Sequence, residues 1–152
     1  MTIIDHLLPP PSGAAIRCPP LGGRRHESWK FEAGDEVQAP PAVANGMAYF
    51  GSVDGKLHAV DTATGRQRWD LAVDGGVTAG RGGLFNSPVL NGNVVYVTTG
   101  HGLYAVDAAT GRERWRHATD RSFGWSPVMA DEMLYAVGFD RSRSSTLYAL
   151  KL

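Results

Sequence analysis

The feature that most constrains the fold of this chain is an internal repeat. A proline and a tyrosine lie eight residues apart in three segments, residues 41–49, 88–96 and 127–135. An apolar tetrapeptide follows each segment, at residues 57–60, 103–106 and 147–150. Self-similarity at a spacing of about 40–45 residues is typical of arrays in which one unit cannot bury its apolar face alone. The repeats are therefore expected to fold as similar units that stack on one another.

A recurring type of turn, followed by a tryptophan, closes the first two repeats. Both copies have the pattern Asp-x-x-Thr-Gly with a tryptophan four residues after the glycine: Asp61, Thr64, Gly65 and Trp69, and then Asp107, Thr110, Gly111 and Trp115. The aspartate carboxylate can accept amide hydrogen bonds within such a turn, and glycine can adopt the positive φ that closes it. Because these residues recur once per repeat, we predict structural roles for them, with both tryptophans mostly buried between neighbouring repeats.

Each repeat is predicted to form four short strands. In the second repeat these strands cover residues 87–90, 94–98, 103–106 and 113–117, where β-branched and aromatic residues alternate with turn-forming pairs such as Asn-Gly and Thr-Gly. Four strands in about 40–45 residues match one blade of a β-propeller. We therefore predict an all-β domain over residues 27–152, essentially without helix. Its antiparallel blades cover about 29–69, 70–115 and 116–152, after an irregular segment 1–26.

Composition excludes several classes of function. The chain has 15 basic and 15 acidic residues, so no net charge favours nucleic acid or anionic lipid. No apolar run is long enough to predict a membrane-spanning helix. The single cysteine, Cys18, cannot form an intramolecular disulfide and does not reveal the compartment. Residues 1–8 lack the basic start and long apolar stretch of a secretory signal, which leaves localisation open and favours the cytoplasm for the chain as written.

The repeated motif resembles a known family. The run Leu103-Tyr104-Ala105-Val106-Asp107, continued by Thr110, Gly111 and Trp115, is similar to the tryptophan-docking motif of pyrroloquinoline-quinone (PQQ) repeat propellers, and residues 57–69 match it too. The resemblance covers the chain from about Trp29 to Leu152. It implies the propeller fold but no single function. The family includes quinoprotein alcohol dehydrogenases, an outer-membrane assembly lipoprotein and sensor domains of bacterial protein kinases, often outside the cytoplasm.

The two ends of the repeat region depart from the pattern in complementary ways. The third repeat has a longer polar loop over residues 138–145 and reaches Leu152 without a second Asp-x-x-Thr-Gly turn or an outer tryptophan strand. Trp29 and Phe31 are predicted to form an outer strand without a blade of their own. Three blades are too few for a closed ring. We therefore expect further blades from a longer parent chain, or a second copy whose Trp29 strand completes the blade ending at Leu152.

The sequence does not predict catalysis. The resemblance implies that a dehydrogenase would need a vicinal cysteine pair and an acidic base, yet the chain has one cysteine, and Asp61 and Asp107 belong to turns. The glycine-rich residues 74–83 lack the Gly-Lys-Ser or Gly-Lys-Thr ending of a phosphate loop. The histidines lack metal-ligand spacing. We therefore expect a non-enzymatic chain with no cofactor and no metal site.

The predicted function is binding of a protein or small ligand at the funnel face of the propeller. Loops on a rigid scaffold commonly carry such sites. The candidate residues precede the inner strands: Arg81, Phe85 and Asn86 in one loop, and Arg121, Phe123 and Trp125 in another. For the Trp125 ring, packing at a blade interface is favoured over stacking on a cofactor. The alternatives are a fragment of a quinoprotein dehydrogenase, and the sensor part of a kinase or an assembly factor.

Overall fold

A computed structural model of the chain describes residues 27–73 and 86–152, and in these ranges all regular structure is β. The strands are β1 Ala42–Ala44, β2 Met47–Gly51, β3 Lys56–Asp61, β4 Gln67–Ala72, β5 Val89–Asn91, β6 Val94–Thr98, β7 Gly102–Asp107, β8 Glu113–Ala118, β9 Ser122–Phe123, β10 Val128–Ala130, β11 Met133–Phe139 and β12 Ser145–Lys151. Every strand pair is antiparallel. The predicted all-β class is thus confirmed.

The strands form three sheets of the kind expected for propeller blades. The first blade is β1-β2-β3-β4 and the second is β5-β6-β7-β8, each in sequence order. In the third blade β12 lies along β11, while both β9 and β10 pair with β11. Because β12 occupies one side of β11 along its whole length, β9 and β10 share the other side as an interrupted inner strand. Within the described residues, no strand pairs with the outer edge of β12.

The second blade is buried on both faces because its side chains alternate. On β6 and β7, one set of residues packs towards the first blade and the other towards the third. The first set is Val95, Val97, Tyr104 and Val106, and the second is Tyr96, Leu103 and Ala105. All seven are at most 5% exposed. Because successive side chains of a strand point to opposite faces, this single sheet contributes to the cores on both of its sides.

The Asp-x-x-Thr-Gly turns have the structure that the sequence predicts. In the second blade, Asp107 Oδ1 accepts hydrogen bonds from the backbone N–H of Ala109 at 3.1 Å and of Thr110 at 3.0 Å. The Thr110 hydroxyl adds a third bond to the same oxygen at 3.0 Å. Gly111 has φ of 72°, and its N–H donates to the Asp107 carbonyl at 2.8 Å. Asp61, Thr64 and Gly65 repeat this arrangement in the first blade.

A β-bulge adds an arginine to each of these turns. Ala59 pairs with Trp69, but the next pair is Val60 with Gln67, so Arg68 is left over on β4. Arg114 is left over in the same way on β8. A bulge redirects a side chain, and here the Arg68 guanidinium lies 2.8 Å from Asp61 Oδ2. The hydrogen bond from Arg68, supported by Thr64, lowers the pKa of Asp61 to about 2.

The equivalent contact in the second blade has the same consequence. Arg114 donates to Asp107 Oδ2, and this bond, with those from Thr110, lowers the pKa of Asp107 to about 2. Neither arginine stood out in the sequence analysis. Their signal is the constant seven-residue separation from the turn aspartate.

Tryptophan docking joins the first blade to the second. A Cβ atom placed on Gly111 would lie 2.6 Å from Cδ2 of Trp69, so the indole ring lies directly against this glycine. The Trp69 Nε1–H donates to the carbonyl of Ala108 at 3.0 Å. Trp29 repeats the contact on Gly65 and donates to the carbonyl of Thr62 at 2.8 Å. Trp69 thus packs between the first and second blades, where its ring is half-buried.

Two sequence predictions about tryptophans were wrong. Trp115 was expected to be mostly buried, but it is 36% exposed and its ring lies beside Tyr96 of its own blade at 6.0 Å between centroids. The reason is that no Asp-x-x-Thr-Gly turn faces it in the described residues. The segment around Trp29 and Phe31 was expected to form an outer strand, but residues 27–33 have no strand structure. The segment is attached instead by side chains, including Phe31 against Phe50.

Candidate binding site

An antiparallel blade has its loops at two opposite ends. The Asp-x-x-Thr-Gly turns lie at one end, which we call the turn side. The connections before each inner strand, and those between β2 and β3, β6 and β7, and β11 and β12, lie at the other end, the loop side. Of the predicted ligand residues, Asn86, Arg121 and Trp125 lie on the loop side. Arg81 and Phe85, and with them the glycine-rich stretch 74–83, lie outside the described residues.

Asn86 connects the second blade to the third. Its side-chain amide donates to the Thr98 hydroxyl at 3.0 Å and to the carbonyl of Phe123 at 3.2 Å. The Thr98 hydroxyl in turn donates to the carbonyl of Trp125 at 3.0 Å. Thr98 is fully buried. The Asn86 amide group is therefore engaged in fixing the backbone of the third-blade loop.

Phe123 and Trp125 differ in burial, although they are two residues apart. Phe123 is 2% exposed and belongs to the core between the second and third blades. Trp125 is 58% exposed, and its ring meets Phe139 edge to face at 5.9 Å. The expectation that the Trp125 ring packs at the blade interface was therefore wrong. Phe123 fills that interface, so the neighbouring ring is left on the surface.

Arg121 braces the loop between β11 and β12. Its Nη1 donates to the carbonyl of Ser144 at 3.1 Å and lies 3.5 Å from Asp140 Oδ2. Both partners belong to residues 140–144, the loop that the sequence marks as longer and more polar than its counterparts. Arg121 was predicted as a ligand-binding residue, and the structure engages its guanidinium in contacts within the protein.

Asp140 organises the same loop from inside. Its Oδ1 accepts from the backbone N–H groups of Ser142 and Ser144, both at 2.9 Å. The Arg143 N–H donates to the Asp140 carbonyl at 3.0 Å, and Arg143 has φ of 63°. A positive φ is uncommon for a residue with a Cβ and persists where surrounding bonds enforce it. The loop therefore holds Arg143 in a set position.

Trp125, Phe139, Arg143 and Ser145 line an open pocket of about 240 Å³, which we call the aromatic–arginine pocket. Trp125 and Phe139 supply an apolar wall, Arg143 supplies a guanidinium, and Ser145 supplies a hydroxyl at the start of β12. The sequence analysis identified Trp125 but not the other three residues as candidates. The signal that could have found them is the unusual third-repeat loop, because an insertion in one repeat commonly marks a binding face.

The described residues contain no group of three or more His, Cys, Asp or Glu side chains placed to hold a metal ion. They also contain no helix long and apolar enough to cross a membrane. The aromatic–arginine pocket places apolar, cationic and hydroxyl groups side by side.

Four-stranded meanders, a repeated turn and tryptophan docking define a class of protein, the β-propeller repeat proteins. The family model described as outer membrane protein assembly factor BamB, a model of PQQ-type repeats, matches residues 23–99 and 54–151. Since these matches cover most of the chain, it belongs to this PQQ-repeat family.

Individual relatives share parts of the chain. The serine/threonine-protein kinase AfsK of Streptomyces coelicolor is 35% identical over 86 residues, which are 51% of this chain and 10% of AfsK. The structure of BamB from Moraxella catarrhalis has a TM-score of 0.60 at 20% identity, over 82% of this chain and 40% of BamB.

The quinohemoprotein alcohol dehydrogenase from Comamonas testosteroni has a TM-score of 0.57 at 22% identity, over 76% of this chain and 21% of the enzyme. At such identities the two solved structures show the shared fold alone. The chain spans less than half the length of each of these three relatives.

Proposed function

We propose that this chain is a non-catalytic propeller module that binds a protein or peptide on its loop side. The observation that carries the proposal is the exposed Trp125 ring, set against Phe139 beside a loop that Asp140 and Arg121 hold in place. Exposed tryptophan and arginine on a rigid support are the residues that dominate binding energy at protein interfaces. The bonds of Asn86 and Thr98 fix this support to the second blade.

The carboxylates of the repeats support a non-catalytic role. A general base acts best with a pKa near the working pH, whereas Asp61 and Asp107 have pKa values of about 2 because their arginine and threonine partners stabilise the charged form. They also lie on the turn side, away from the aromatic–arginine pocket. We expect no dye reduction with alcohols or sugars in the presence of added quinone and calcium, and cofactor-dependent turnover by the pure chain would contradict this.

The binding role is tested by selecting a random peptide library on the immobilised chain and measuring the selected peptides on two variants. Trp125→Ala should weaken binding by about tenfold or more, as expected for a central aromatic residue. Trp115→Ala removes another partly exposed tryptophan at a distant position and should leave binding unchanged. Equal binding by the wild type and the Trp125→Ala variant, or selection of no peptides, would contradict the proposal.

A second candidate is a module that senses ligands for a protein kinase. The 35% identity with AfsK over 86 residues favours it. The coding sequence on both sides of this chain distinguishes the candidates, because a kinase domain in the same reading frame supports this role and further propeller blades alone do not.

A further inference from the structure

We propose that the aromatic–arginine pocket selects a peptide segment in which a large apolar side chain stands next to a side-chain carboxylate. This inference rests on the proposed function, since it assigns a ligand chemistry to the same site. Three features of the pocket support it: the aromatic wall, the charge, and the loop that holds Arg143.

The wall of the pocket is suited to an apolar side chain. Trp125 and Phe139 meet at an interplanar angle of 73°, so two ring surfaces border one concavity. Trp125 is 58% exposed, which leaves much of its apolar area in water. Covering such area with an apolar side chain is favourable in proportion to the area removed from water. Aromatic ligand groups gain further from edge-to-face contact.

The charge of the pocket is suited to a carboxylate. Of the three arginines near this site, Arg121 is paired with Asp140, whereas neither Arg141 nor Arg143 makes an ion pair within the described part of the chain. Arg143 lines the pocket. Among the described residues, none that lines the pocket is acidic. A guanidinium binds a carboxylate with two parallel hydrogen bonds and does so better than an ammonium. The adjacent hydroxyl of Ser145 can donate to the same group.

The loop makes this cation available at little cost. Arg143 has a φ of 63°, a strained value for an arginine, and Asp140 stabilises this conformation through the N–H groups of Ser142 and Ser144. Arg121 ties the loop to the β9 strand. Because the backbone is already ordered, binding need not order it, and pre-organised sites bind more tightly for this reason.

The test measures the fluorescence anisotropy of labelled short peptides, capped at both ends, that carry one Phe and one adjacent Asp. Matched peptides replace Asp with Asn, or Phe with Ala. On the wild-type chain the Phe–Asp peptide should bind about tenfold more tightly than the Phe–Asn peptide, the size expected for one charged hydrogen-bonded contact. Arg143→Gln should remove this preference. Arg141→Gln, the same change two residues earlier in the exposed part of the loop, should keep it.

The outcomes separate this inference from the proposed function. One outcome is that the wild-type chain binds the Asp and Asn peptides equally while the Trp125→Ala variant binds neither. This outcome would overturn the carboxylate preference and still support peptide binding at the pocket. A further set of the same peptides without the C-terminal cap serves as a control, and binding only of these uncapped peptides would also overturn the preference for a side-chain carboxylate. If Arg143→Gln unfolds, the salt dependence of binding to the wild-type chain is the alternative test. Added NaCl should weaken binding of the Asp peptide and leave binding of the Asn peptide unchanged. The absence of this salt effect would overturn the proposal.

Discussion

Trp69 and Trp115 occupy the same position in successive blades, but their surroundings differ. Trp69 pairs with Ala59 and Trp115 with Ala105, and each ring lies about 6 Å from a tyrosine of its own blade. The Trp69 ring also lies against Gly111 and donates to Ala108 in the next blade. Trp115 has no such glycine in the described residues and is 36% exposed.

This comparison shows that burial of the tryptophan is a property of the interface and not of the strand. The outer strand presents the ring, while the turn of the following blade supplies both a surface without a Cβ and a carbonyl acceptor. Local sequence around the two tryptophans is nearly the same, Arg-Gln-Arg-Trp and Arg-Glu-Arg-Trp. The difference in exposure therefore comes from the neighbouring blade.

The largest expected effect comes from removing the docked ring. We expect Trp69→Ala to lower the free energy of unfolding by about 3 kcal/mol, the lower end of the range for truncating a buried aromatic residue. Trp115→Ala should lower the free energy of unfolding by about 1 kcal/mol, because the Trp115 ring buries less apolar area than the Trp69 ring. Urea denaturation of both variants measures the difference. Equal losses would show that docking on Gly111 contributes nothing beyond the contacts within the blade.

A smaller effect is expected from changing the surface on which the ring docks. Gly111→Ala places a Cβ 2.6 Å from the Trp69 ring at φ of 72°, whereas Gly92→Ala places one at φ of 56° with nothing within 4 Å. Both variants incur the strain of a left-handed residue, about 1–2 kcal/mol. Gly111→Ala should cost about 1 kcal/mol more, the lower end of the range for overpacked sites.

Thermal denaturation of the two glycine variants side by side provides the measurement. Combining Gly111→Ala with Trp69→Ala should remove the extra cost, because the clashing ring is gone. An extra cost that persists in the double variant would place its origin in the turn itself.

The smallest effect concerns the charge that stabilises the docking turn. The pKa of Asp107 is lowered from 3.8 to about 2 by Arg114 and Thr110, so its contribution to stability is fully present above about pH 4 and is lost as the pH falls towards 2. Asp107→Asn should therefore lower the urea midpoint at pH 5, and the gap to wild type should narrow towards pH 2. A constant difference in urea midpoint between the two proteins across this pH range would show that the charge of Asp107 does not contribute to stability.

Repetition explains which parts of this fold could be predicted from the sequence. The Asp107 turn and the β6 and β7 strands follow from local patterns that occur more than once, so each copy supports the other. The exposure of Trp115 depends on what faces it, and local sequence carries no information about that. The same limit applies to Trp125 and Phe123, because local sequence does not show which of the two rings is buried at the blade interface.

The candidate site was predictable only in part for a related reason. The loop of residues 140–144 differs in length and sequence from its counterparts in the other repeats, so comparison within the chain assigns no roles to its residues. Arg121, Arg141 and Arg143 all lie in or near a polar loop, and the sequence does not show which of them Asp140 pairs with. The three-dimensional arrangement of Asp140 and Ser144 engages Arg121 and leaves Arg143 at the pocket.

The order of residues in each dock has a consequence for synthesis on the ribosome. Trp29 precedes its carbonyl acceptor Thr62 by 33 residues, and Trp69 precedes Ala108 by 39. Both docked indoles are thus translated before the turns that receive them, and each ring stays exposed until the third strand of the next blade has emerged. During synthesis, the Trp29 and Trp69 rings are therefore each exposed for the length of about one blade, and that blade then covers them.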